Sequence, residues 1–174
     1  MAWRLYKDAE ENIKSSNLKC IGSIAFSAFT LEAYLNYVGE NRIKYWNIVE
    51  KKLSPDEKLD LISMELKIDI DKGKRPFQSF GEIFKFRRYI VHGRSEIITD
   101  KGIQALSENE YPILPDTEWQ KMVSLEKTKI YLDDSKKIVE VLYEGSELDF
   151  DPFYTAEIAG WSASDVQEDK DDNR

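Results

Sequence analysis

Apolar residues return at helical spacing along most of this chain. Between Leu18 and Val38 the positions Leu18, Ile21, Ile24, Ala25, Ala28, Phe29, Leu31, Leu35 and Val38 repeat every three to four residues, the period of an α-helix. The spacing predicts a helical block over about Ala2 to Glu40, with Ser15-Ser16-Asn17 as a kink or a break between two shorter helices. Apolar residues ring most of the second part, which predicts a central position, within a bundle or against a second subunit. Arg42 to Lys52, with Trp46 and Val49, reads as a further helical stretch after a short turn at Gly39.

Ser54-Pro55-Asp56-Glu57 carries a serine cap, proline at the first helical position and glutamate three residues after the cap, the pattern of a capping box. It predicts a helix to about Leu66 with Leu59, Ile62, Ser63 and Leu66 on one face. Asp69 to Pro76 is turn-rich, after which Phe77, Phe80, Ile83, Phe84, Phe86, Ile90 and Val91 mark another helix that Gly93 ends. No helical period runs through 94–115, although Ile97-Ile98 and Tyr111 to Leu114 suit short extended pieces. A final helix is predicted from the cap Asp116 to Gly145. The expectation is an all-α protein: an antiparallel bundle of about four to six helices over 1–148, an irregular insert near 94–115, and an acidic, mobile tail over 149–174.

With 174 residues the chain has the length of one domain and can bury a core without staples. The segment Cys20 to Val38 carries Ser23, Ser27, Thr30, Glu32 and Asn36, too polar for a membrane span of about 20 apolar residues. The N-terminus lacks the charge and apolar pattern of a secretory signal. One cysteine, Cys20, excludes an internal disulfide framework, and one Cys with one His cannot build the usual zinc site. A cytoplasmic protein without a metal or other cofactor is expected.

Net charge is −8, but 149–174 holds eight acids against two bases and accounts for −6, leaving −2 for the other residues. Within that near-neutral body, Phe84 to Ser95 contains Lys85, Arg87, Arg88 and Arg94 and no carboxylate. A concentrated cationic patch suits a phosphate-bearing ligand. The same patch holds the chain's one histidine, His92. Imidazole is the side chain best matched to proton transfer near neutrality.

Phosphate loop, nucleophile elbow, HExxH, paired CxxC and EF-hand patterns are all absent from the sequence. What remains is Arg87-x4-His92, whose members differ by about 140° around a helix, while Arg88 and His92 share a face as i and i+4. Basic residues are also favoured at helix C-termini for capping alone. Glu32 and Asn36, i and i+4 on an apolar helix, suit either an ordinary interhelix contact or a pair that orients Arg87 or His92. Phe84 and Phe86 fall in core register; Tyr89 is free to stack on a base.

Ala28-Phe29-Thr30-Leu31-Glu32-Ala33-Tyr34-Leu35-Asn36 on an early helix, Ser54-Pro55-Asp56-Glu57-Lys58-Leu59 opening a middle one and Arg87-Arg88-Tyr89-Ile90-Val91-His92-Gly93 on a later one together resemble the HEPN domain family. The resemblance covers roughly Ala2 to Gly145, and its specific element is the Arg-x4-to-6-His motif. It implies a helical bundle that dimerises so that two motifs meet, and in many members a metal-independent endoribonuclease. Arg87 and His92 are then the catalytic pair, with Arg88, Arg94, Lys85, Tyr89, Glu32 and Asn36 supporting them or binding phosphate. RNA or a nucleotide is the implied ligand, a homodimer the implied state, and a regulatory protein a further implied partner in a toxin, antiviral or stress-response setting. Active members often carry Asn, Asp or His after the motif arginine, where this chain has Arg88. That departure keeps open a non-enzymatic module binding a nucleotide, RNA phosphate or protein, and a plain helical scaffold in which His92 caps its helix.

Overall fold

The computed structural model describes residues 1–93, 95, 97 and 116–149. The expected irregular insert and acidic tail therefore lie almost wholly outside the described residues, as does Arg94. Among the described residues the protein is all-helical, with α1 (Ala2–Glu11), α2 (Ser16–Arg42), α3 (Trp46–Val49), α4 (Pro55–Leu66), α5 (Phe77–His92) and α6 (Leu125–Ser146).

Helix α2 is the hub. It packs against α1, α4, α5 and α6, and Ile24, Ala28, Leu31, Leu35 and Val38 are buried along it. By length and composition it is also the one described helix that could cross a membrane; here it is the central helix of the bundle. The break before it falls where the serine pair predicts, with Ser15 at φ 124°. α1 then folds back antiparallel: Ser23 Oγ donates to the Ala2 carbonyl at 2.9 Å, and Lys19 Nζ to the Asp8 carbonyl at 2.7 Å. Cys20, a free thiol, is buried in α2 beside Tyr6 of α1.

Two expected boundaries move. Gly39 does not end α2, which runs on to Arg42. A Cβ at Gly39 would run into the indole of buried Trp46, so the glycine admits a ring rather than making a turn. The helical stretch expected over 42–52 accordingly shrinks to the single turn of α3, entered through Tyr45 in left-handed backbone. The last helix starts at Ser124, not Asp116. Thr117 donates its N–H and hydroxyl to Gln120 Oε1, each at 2.8 Å, closing a separate turn that leads into one 3-10 turn at Gln120–Met122. Ser124 Oγ then caps α6 by accepting from the Lys127 N–H at 3.1 Å.

α4 opens with the expected capping box: Ser54 Oγ accepts from the Glu57 N–H, and the Glu57 carboxylate accepts from the Ser54 N–H at 2.7 Å. The N-terminal half of α5 is clamped to α6. Asp134, 1% exposed, accepts from Arg75 Nε at 2.7 Å, Arg75 Nη2 at 2.9 Å and Ser79 Oγ at 2.5 Å. Tyr131 donates to Glu82 Oε2 at 2.8 Å. Residues 79 and 82 thus meet 134 and 131, so the two helices run antiparallel. This clamp fixes the direction in which the cationic end of α5 projects.

Candidate functional site

The register of α5 divides its cationic end. Phe84 and Phe86 are buried, as their spacing predicts. Arg87, next to Phe86, is turned partly inward, with its side chain 33% exposed. Lys85, Arg88 and His92 are exposed, and Tyr89 is half-buried, with Lys85 Nζ 5.9 Å from its ring centre. His92 is the last residue of the helix. Gly93 follows it at φ 0°, ψ 104°, outside the left-handed conformation of the commonest glycine endings. Among the described residues the His92 imidazole forms no hydrogen bond or ion pair.

Arg87 reaches across to α2. Its Nη2 lies 3.1 Å from Glu32 Oε2, and its guanidinium carbon sits 5.8 Å from the centre of the Phe29 ring, a cation–π distance. Nε of Arg87 is buried and has no hydrogen-bond partner among the described residues. The Glu32 carboxylate meets a second cation on its other oxygen: Lys58 Nζ of α4 lies 3.9 Å from Oε1 and donates to Asn36 Oδ1 at 2.8 Å. Glu32 and Asn36, one turn apart on α2, thus act on two different cations from two different helices.

Nothing in the sequence pattern marks Lys58 as a site residue. The signal of its burial is register, since Lys58 stands one turn before Ile62 on the face that packs inward. The nearby carboxylates obscure that signal. Asp56 and Asp60 flank Lys58 in the sequence, yet it is Lys72 Nζ that lies 3.8 Å from Asp56 and 2.5 Å from Asp60. Lys58 itself is 4% exposed.

Around Arg87 the surface is apolar. Phe26 and Phe29 of α2 are 37% and 47% exposed and pack edge to face at 6.2 Å. Ile90 and Val91, three and four residues beyond Arg87, share its face of α5 and are 41% and 56% exposed. The rings therefore face outward on α2, although the apolar period alone places Phe29 among core positions. These four side chains leave apolar area uncovered beside Arg87. Chemically, the site offers a held guanidinium for an anion and an accessible imidazole for proton transfer, both at one end of α5. No family model, curated protein or solved structure matches this chain.

Proposed function

We propose that this protein is a HEPN-type, metal-independent endoribonuclease that works as a homodimer. The observation that carries the reading is the coincidence of the Arg87 and His92 pair with the uncovered apolar group Phe26, Phe29, Ile90 and Val91. A two-fold contact through that group buries it against itself and brings a second Arg87 and His92 alongside the first. The free, buried Cys20 fits a reducing, cytoplasmic setting.

The reaction is an internal transesterification. One His92 takes the proton from the RNA 2′-hydroxyl as its oxygen bonds to the adjacent phosphorus. The bond from phosphorus to the 5′-oxygen breaks, and the second His92 returns a proton to that leaving oxygen. The products are a 2′,3′-cyclic phosphate and a 5′-hydroxyl. Arg87 meets the charge that builds on the non-bridging oxygens. Lys85 and Arg88, exposed on the same helix, supply sequence-independent attraction to the backbone. Control by a partner protein, as in a toxin or antiviral system, belongs to the same reading.

Incubation of single-stranded RNA with the protein in EDTA tests this directly. Wild type is expected to leave cyclic-phosphate ends, and His92→Ala to lose at least about a hundredfold in rate. Cleavage that survives the substitution, or that needs a divalent metal, rejects the mechanism. One feature favours a second reading: exposed Arg88 adds charge where active HEPN domains often carry Asn, Asp or His. On that reading RNA binds in a salt-sensitive way and stays intact.

A further inference from the structure

A lysine with 4% exposure is unusual, because an ammonium group leaves water only when something compensates it. Among the described residues Lys58 is compensated from α2: it donates a hydrogen bond to Asn36, and Glu32 Oε1 lies 3.9 Å from its Nζ. The consequence falls on Arg87. Arginine and carboxylate prefer a two-point fork, with two parallel N–H groups on two oxygens. Here Glu32 gives Arg87 one oxygen, with Nη2 3.1 Å from Oε2, while the other oxygen faces Lys58. Arg87 Nε, the nitrogen that would complete such a fork, is buried with no partner among the described residues.

We infer that Lys58 is a positioning residue that acts through Glu32, dividing the carboxylate so that Arg87 is held against Phe29 but left with N–H groups for a phosphate. This rests on the endoribonuclease reading for its function, not for its geometry. Lys58 touches neither substrate nor reacting atoms. Without its charge, Glu32 is free to turn its second oxygen to Arg87, close the fork, and hold more tightly the guanidinium that must meet the phosphate. An ordinary structural lysine predicts something different: its removal loosens the bundle and leaves the pose of Arg87 alone.

The test is a double-mutant cycle between Lys58 and Glu32. The Nε–H signal of Arg87 in a nitrogen-correlated NMR spectrum, assigned by its loss in Arg87→Lys, reads the pose without RNA. In Lys58→Met that signal is expected to move as the fork closes, and to return toward its wild-type position in Lys58→Met with Glu32→Gln. In parallel, kcat/KM on single-stranded RNA in EDTA should fall about tenfold or more in Lys58→Met, and the same lysine change should cost less than about threefold in the Glu32→Gln background. Lys58→Gln, which keeps a donor for Asn36 and drops the charge, replaces Lys58→Met should that variant not fold. An unmoved Arg87 signal, or equal losses in both backgrounds, overturns the inference. Should wild type itself not cleave RNA, the endoribonuclease reading falls, and the Arg87 signal still decides the role of Lys58.

Discussion

Tyr131 is 2% exposed and its hydroxyl donates to Glu82. Burial, and then the neighbouring carboxylate, push its pKa up. Tyr6 is raised to about 12, first by its hydrogen bond to Glu10 and then by burial. The folded chain thus holds these protons more tightly than the unfolded chain, whose tyrosines ionise near about pH 10. Their contribution to stability is complete below about pH 10 and is lost as pH rises through the folded values. Urea midpoints should therefore hold steady up to about pH 9 and drop by about pH 11.5, with the drop reduced in Tyr131→Phe. At the candidate site, legibility also differs residue by residue. Glu32 and Asn36 stand out because they are polar on an apolar helix, and both do take interhelix partners. Lys58 does not stand out, because it lies among the charged residues that open α4, and its partner Asn36 lies 22 residues away on α2.

At the level of elements, features with a local cause are the ones the chain announces. The capping box at Ser54, the break at Ser15 and the span of α5 all depend on neighbours a few residues away. The reach of α2 past Gly39 depends on Trp46, which arrives only after the chain has turned, and the delayed start of α6 depends on a competing turn between Thr117 and Gln120. Gly39→Ala separates the two kinds of cause. Helix propensity alone makes it stabilising by about 1 kcal/mol. Displacement of the buried indole should reverse the sign and destabilise the protein by about 1–3 kcal/mol in urea unfolding. A stabilised Gly39→Ala variant contradicts the packing of Trp46 on α2.

For the whole molecule, the uncovered group Phe26, Phe29, Ile90 and Val91 sets the expectation for assembly. Phe26→Glu combined with Ile90→Glu places like charges on both halves of a two-fold contact. Sedimentation should show wild type as a dimer and this variant as a monomer with an unchanged helical spectrum, and RNA cleavage should fall with the dimer. A monomeric wild type removes the shared site.

Cys20 is the chain's one thiol, buried on α2 beside Tyr6 of α1, and it makes the protein its own clock. A thiol reagent can reach it only when the structure opens, so the modification rate measures how often the packing around Cys20 comes apart. If α1 comes away alone, the rate should depend on urea far less steeply than global unfolding does. If the bundle opens only as a unit around α2, the two slopes should coincide.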